Sequence, residues 1–343
     1  MKHALRALTR RILPANEEGY RGPVSDHFDG RRFHNPSPIR HRPGDLLSWW
    51  RNRDSQPWQR IEHFDPPPSP AQCVDDGVCI TWINHATVLV QTAGLNILTD
   101  PIFSQRASPL SWAGPRRYHP PGVAFDALPP IHVVAISHAH YDHLDRASIR
   151  RLIARFDPLF VVPLGLEACI HRFGGRRVVS RDWWQGLDLS ARVRVTLTPA
   201  RHWSRRGLFD RNRSLWAGFW FDTPAGPIYF AGDTGMGSHF QAIRQRLGAP
   251  RIALLPIGAY EPRWFMAPQH MNPGDAVEAH QRLGACQSVG IHFATFKLTD
   301  EGQHAPATAL ASARAAAGLA AEHFIVPAFG QSLHFESNAT RRG

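Results

Sequence analysis

The chain has 343 residues, 43% of them hydrophobic, a formal net charge of +11 and a pI of ≈ 10.4. That is enough apolar material for a full core, and α/β proteins of this size often form one domain. No stretch is long and apolar enough to span a bilayer, and the opening residues lack the continuous apolar region of a signal peptide. The positive balance favours an anionic partner such as a phospholipid headgroup, a nucleic acid or an acidic metabolite, without choosing among them.

Residues 1–70 read as a basic extension rich in Pro and Trp, with the run Pro66-Pro67-Pro68 near its end and no period long enough for a core. Within 1–13, Leu5, Leu8 and Ile12 recur at helical spacing among Lys2, Arg6, Arg10 and Arg11, a pattern suited to an anionic membrane. Trp49, Trp50 and Trp58 in the same basic context suit a membrane interface. Residues 71–343 read as the catalytic domain. Strand-like runs fall at 80–83, 88–91, 96–98, 131–136, 160–163, 193–197, 219–222, 228–231, 252–257 and 289–293, and helical stretches at 149–156, 166–173, 240–247, 276–283 and 307–319. This rhythm predicts an α/β fold with helices covering a two-sheet core. Cys73, Cys79, Cys169 and Cys286 have no C-x-x-C spacing, so a reducing, cytoplasmic setting without disulfides is expected.

The segment Ser137-His138-Ala139-His140-Tyr141-Asp142-His143-Leu144-Asp145 places three imidazoles and a carboxylate within six residues, directly after a buried-strand pattern and before a helical one. His138 and His140 alternate so that both face one ion, while Asp142 and His143 turn toward a second position, as in a two-metal hydrolytic site. One loop cannot complete two sites, because Zn²⁺ takes about four N, O or S ligands. Three later residues at the ends of apolar runs fit as the missing ligands: His202, Asp233 in a Gly-Asp-Thr turn, and His292.

The order His-x-His-x-Asp-His, then His, Asp and His, resembles the metallo-β-lactamase fold superfamily. Longer strings resemble one family within it, the N-acyl-phosphatidylethanolamine-hydrolysing phospholipases D. These are Trp82-Ile83-Asn84-His85-Ala86-Thr87-Val88-Leu89-Val90, Leu98-Thr99-Asp100-Pro101-Ile102-Phe103, Ala231-Gly232-Asp233-Thr234-Gly235 and Pro256-Ile257-Gly258-Ala259-Tyr260-Glu261-Pro262-Arg263-Trp264-Phe265-Met266. The likeness runs from about residue 79 to about residue 335. It implies an αββα sandwich in which His138, His140 and His202 hold one zinc, Asp142, His143 and His292 hold the other, and Asp233 bridges. Two ions so placed would lower the pKa of a water to about 7 and neutralise phosphoryl oxygens. A bridging carboxylate suits phosphodiester, thioester and lactone hydrolysis better than β-lactam hydrolysis. Asp100 is expected either to fix the tautomer of a ligating His or to make a local Asx turn before Pro101.

The resemblance also singles out Tyr141 and His270 as residues beside the metals that hold the substrate phosphate or assist proton transfer, with packing and surface roles as the plain alternatives. Ser111 departs from the family, where a Gln stands, and its shorter side chain cannot make the same contact. The expected activity is therefore zinc-dependent phosphodiester hydrolysis of phospholipase D type, giving phosphatidic acid and an N-acylethanolamine or a related alcohol. Asp142, Asp233, Tyr141 and His270 are the candidate catalytic residues. A soluble lactonase, cyclic phosphodiesterase or nuclease of the same fold, and a metal-binding scaffold without catalysis, are the rival readings. The expected partners are a phospholipid substrate and an anionic membrane surface, with the enzyme cytoplasmic or peripheral on the inner face of the membrane. No dedicated nucleic-acid partner is expected, and a homodimer stays open.

Overall fold

The computed structural model describes residues 19–39 and 41–337. The basic helix read at 1–13, with Arg6, Arg10 and Arg11, lies outside the described residues. From Val78 onward the chain builds two seven-stranded sheets flanked by helices. The first contains β1 (Val78–Asn84), β2 (Thr87–Thr92), β3 (Leu95–Thr99), β4 (Val133–Ala135), β5 (Leu159–Pro163), β6 (Val178–Arg181) and β14 (Ser332–Phe335), in the order β14-β1-β2-β3-β4-β5-β6. The second contains β7 (Gly186–Asp188), β8 (Arg194–Thr198), β9 (Gly218–Asp222), β10 (Ile228–Phe230), β11 (Ile252–Pro256), β12 (Gln287–Ile291) and β13 (Phe324–Ile325), in the order β13-β12-β11-β10-β9-β8-β7. Each sheet has three antiparallel pairings followed by three parallel ones.

The pleat explains why the strand runs are apolar throughout. In the first sheet Ile80, Trp82, Val88, Val90, Ile97, Val133 and Val161 face the core shared with the second sheet. Their neighbours Leu89, Leu98, Val134, Phe160 and Val162 face the opposite way and pack on helices. Those helices are α2 (Arg146–Phe156) and α3 (Glu167–Phe173), which bury Ile149, Leu152, Cys169, Ile170 and Phe173. The second sheet is covered by α4 (His239–Leu247), α6 (Pro273–Leu283) and α7 (Ala305–Ala316), through Phe240, Ile243, Val277, Leu283 and Leu310. Two shorter helices, α1 (Asp45–Arg51) and α5 (Arg263–Met266), lie outside this frame.

The extension contributes to the core despite its lack of period. Phe28 and Phe33 are fully buried against the main core, and each such burial contributes about 1.5–3 kcal/mol. His27 stacks on Trp183 with centroids 4.3 Å apart, and its Nε2 is hydrogen-bonded to the Asp182 carboxylate at 2.7 Å. Trp49, expected at a membrane interface, instead donates its indole N–H to Asp300 and packs on Phe265. Trp58 donates to the Glu301 carbonyl. Trp50 alone of the three is strongly exposed, at 71%.

Candidate metal centre

The site forms along the edge where strands of both sheets end. His85 sits in the turn between β1 and β2, Asp100 follows β3, and residues 137–145 join β4 to α2. From the other sheet come His202 after β8, Asp233 after β10, His292 after β12, and His270 just before α6. Tight exits from the strands aim these side chains. His85 (φ 45°), Asp100 (φ 36°) and His292 (φ 63°) all adopt the left-handed conformation, which costs of order 1 kcal/mol or more for a non-glycine residue. Hydrogen bonds enforce it at His85, whose N–H donates to Thr295 Oγ1 and whose carbonyl accepts from Trp82 Nε1 and the His292 N–H. Before Asp233 stands Gly232 at φ 60°, where a Cβ would lie 2.8 Å from the Ser137 Cβ, so only glycine fits.

Two sets of donors converge. In one, His138 Nε2 and His140 Nδ1 lie 2.7 Å apart, and His202 Nε2 is 3.2 Å from the same His140 nitrogen. In the other, Asp142 Oδ2 is 3.3 Å from His143 Nε2 and 3.5 Å from His292 Nε2, with those two nitrogens 3.3 Å apart. A tetrahedral ion with bonds of about 2.0–2.1 Å sets its ligands about 3.4 Å apart, a spacing the second set matches and the first, at 2.7 and 3.2 Å, approaches from below. Asp233 lies between them. Its Oδ2 is 3.1 Å from His143 Nε2, 3.8 Å from His202 Nε2 and 4.0 Å from His138 Nε2, and its Oδ1 is 3.1 Å from His292 Nε2.

The far nitrogens of three histidines are fixed by bonds pointing away from this centre, which sets their tautomers. His143 Nδ1 pairs with Asp100 Oδ2 at 2.7 Å, His202 Nδ1 with the Gln269 carbonyl at 3.0 Å, and His138 Nδ1 with Ser137 Oγ at 2.9 Å. Asp100 also accepts from the Ser137 hydroxyl and N–H, so it holds the His143 tautomer as expected, whereas the local Asx turn does not form, because the Ile102 N–H donates to Thr87 Oγ1 instead. Burial holds His138 and His202 well below the usual imidazole range and brings His140 to about 4. Burial would depress His143 and His292 as well, but adjacent carboxylates reverse it: Asp233 and Asp142 raise His143 well above its usual value and bring His292 to about 9. Burial likewise favours neutral Asp142 and Asp233, yet His143 and His292 hold both carboxyls well below the usual range.

All seven residues predicted as ligands meet here, and two more join them. His270 is buried, its Nδ1 lies 3.9 Å from Asp233 Oδ2 without a hydrogen-bond partner, and burial lowers its pKa to about 4. Its carbonyl accepts from Arg263, whose other amino group pairs with Asp275, so the Tyr-Glu-Pro-Arg string braces this histidine. His85 was not foreseen. Its Nε2 lies 2.9 Å from Asp142 Oδ2 and its ring 3.9 Å from that of His292. Only its place in a turn between two buried strands marked it. Tyr141 stands apart from the ligand atoms in its bonding: its hydroxyl donates to the Arg206 carbonyl, and its ring carries the Arg206 guanidinium at 4.3 Å. Together with Ser111, Tyr141 lines a cavity of about 600 Å³ beside the metal loop.

A two-sheet sandwich with a buried His/Asp cluster along one edge is the metallo-β-lactamase architecture, and residues 95–293 match the model of the β-lactamase superfamily domain. The chain belongs to this superfamily. Among its relatives it is 39% identical over 235 residues to N-acyl-phosphatidylethanolamine-hydrolyzing phospholipase D 1 of Caenorhabditis elegans, covering 65% of this chain and 66% of that protein. It is 35% identical over 227 residues to the mitochondrial enzyme of the same name in Saccharomyces cerevisiae, covering 64% and 48%. A UPF0173 metal-dependent hydrolase of Pyrobaculum neutrophilum is 31% identical over 219 residues, covering 64% and 85%. The matched region thus spans about half to two thirds of the length of the two phospholipases. Among solved structures, the metallo hydrolase Igni18 of Ignicoccus hospitalis shares the fold with a TM-score of 0.59 at 23% identity, covering 76% of this chain and 98% of that one. The isothiocyanate hydrolase from Delia radicum gut bacteria does so with a TM-score of 0.60 at 21% identity, covering 76% and 100%.

Proposed function

We propose that the chain is a two-zinc phosphodiesterase of phospholipase D type, which hydrolyses N-acyl-phosphatidylethanolamine or a related phospholipid to phosphatidic acid and the free headgroup alcohol. The observation that carries this reading is Asp233, whose two oxygens face both donor sets. The names of the phospholipase relatives support the choice of bond. Histidine and carboxylate donors without thiolate suit zinc but also accept other divalent ions.

When bound, the ions would supply charge for the phosphoryl oxygens and a water acidic enough to react near pH 7. The residues of the chain do the rest. Ser137, Asp100 and the Gln269 carbonyl keep three histidines in one tautomer. His270, kept neutral by burial, stands beside Asp233 with a free nitrogen for a phosphoryl oxygen or a proton. Tyr141 shapes the cavity and holds Arg206 against it.

An anionic membrane is the proposed partner. Trp112 (75% exposed), Leu208 (62%) and Phe209 (82%) stand out on the two loops that also carry cavity residues Ser111 and Arg206. Large exposed apolar side chains among arginines at a cavity mouth suit a lipid interface. Among the described residues no helix is long and apolar enough to cross a membrane.

The test is a lipid extract incubated with zinc-loaded protein in ¹⁸O-water and analysed by mass spectrometry. Phosphatidic acid carrying the label in its phosphate is expected, since attack at phosphorus breaks the P–O bond to the headgroup. Free fatty acid or diacylglycerol as the primary product would overturn the reading.

A further inference from the structure

The cavity beside the metal loop has more positive charge than its own structure uses. Arg106, Arg146, Arg150 and Arg206 line it, against one carboxylate, Asp145. Asp145 is already committed, capping α2 by accepting from the N–H groups of Ala147 and Ser148 and taking two hydroxyls, from Ser104 and Ser148. Arg206 is fixed by the carbonyls of Ala139 and Leu144, and Arg106 by that of Gly114. Arg146 and Arg150 have no hydrogen-bond or carboxylate partner among the described residues; Arg146 touches only the Phe173 ring, 5.9 Å from its centroid.

Their placement is unfavourable for the helix itself. They are four residues apart on one face, where like charges repel, and they occupy the first turns of α2, where the helix dipole disfavours cations and no acidic residue follows the N-cap Asp145. An anion in the cavity would relieve both costs. Beside serines and Gln105 the walls carry apolar surface from Pro109, Leu110, Phe173 and Tyr141, so the cavity suits an anion attached to a hydrocarbon part.

We propose that this cavity is the headgroup pocket of the enzyme and that it selects phosphodiesters whose leaving alcohol carries a second anionic group, a carboxylate or phosphate, over those with a neutral headgroup. This deepens the phospholipase D reading and rests on it. Tyr141 links the two sites, since it lines the pocket and stands between His140 and Asp142 in sequence.

Short-chain substrates kept below their micelle concentration separate headgroup choice from membrane charge. Wild-type kcat/KM is expected to be at least about tenfold higher for a dihexanoyl phosphodiester of N-acylserine than for that of N-acylethanolamine. In Arg146→Gln/Arg150→Gln the ratio should fall toward one, and the selectivity of the wild type should shrink with added salt. Both arginines are exposed, and removing a repulsive pair should leave the melting temperature unchanged or raised. Equal rates on the two substrates in the wild type, or an unaltered ratio in the double variant, would overturn the pocket and leave the phospholipase reading standing. If neither substrate is cleaved, the phospholipase reading itself fails. The pocket is then judged by titrating N-decanoylserine and N-decanoylethanolamine into both proteins by calorimetry. Tighter binding of the carboxylate compound that disappears in the double variant supports it, and binding that is equal in both proteins refutes it.

Discussion

At the scale of single residues, the centre depends on one carboxylate shared by two donor sets. Asp233→Asn keeps the shape but cannot supply the charge, so metal content should fall below the two ions per chain expected for the purified protein. Turnover should fall by about 100-fold or more, as expected when charge at a two-metal clamp is lost. Elemental analysis beside a phosphodiester assay checks this, and full metal with full activity would remove Asp233 from the site. His85→Ala should act differently. It removes the group touching Asp142 Oδ2 while leaving the His138, His140 and His202 set intact, so one ion should bind about 10- to 100-fold more weakly and the other as before. Two-phase zinc competition against a chelating dye would reveal the difference; a uniform loss would mean that His85 serves folding alone. Metal uptake should also release protons, because His143 and His292 are held protonated by Asp233 and Asp142. Zinc affinity should therefore weaken as pH falls, and a pH-independent affinity would contradict this electrostatic picture.

At the scale of elements, the way the extension is fastened gives a pH signature. Burial alone would lower the pKa of His27, but the hydrogen bonds its ring donates to Asp182 and Asp26 outweigh it and raise the value above the usual 6.5. A raised folded-state pKa stabilises the protein fully below the unfolded value and ceases to do so as pH climbs through the folded one. Stability should therefore decline as pH rises from about 6.5 upward, and His27→Asn should flatten that slope in urea titrations at several pH values. The same scale shows what the sequence could and could not convey. Long strands buried on both faces, such as those containing Val88 and Leu254, announce themselves as apolar runs. Gly186–Asp188 and Phe324–Ile325 do not, since they are short edge strands with partly exposed positions. The ligand order was legible because His138 to His143 form a dense cluster that no core requires. His85 was not, because a single histidine in a turn gives no pattern, and its partner Asp142 lies 57 residues away. Phe28 and Phe33 escaped for the opposite reason: they dock as isolated anchors from irregular backbone.

At the scale of the whole molecule, the exposed apolar side chains of two cavity-side loops imply a way of approaching lipid. Trp112→Ser, Leu208→Ser and Phe209→Ser together should weaken binding to anionic vesicles, because each buried apolar side chain contributes about 1.5–3 kcal/mol at such an interface. Vesicle flotation measures the effect, and unchanged binding would move the membrane contact elsewhere. The pairing scheme common to the two sheets has a different outcome. One half of the sandwich supplies His85, Asp100 and the His138 to His143 loop, and the other supplies His202, Asp233 and His292, so neither half owns a complete ion site. A bound ion would therefore fasten the two sheets along one edge, in addition to the core they share, and would couple their unfolding more tightly. Loaded protein should melt in one cooperative transition. After chelation the melting point should drop and the transition broaden as the two sheets lose this edge fastening.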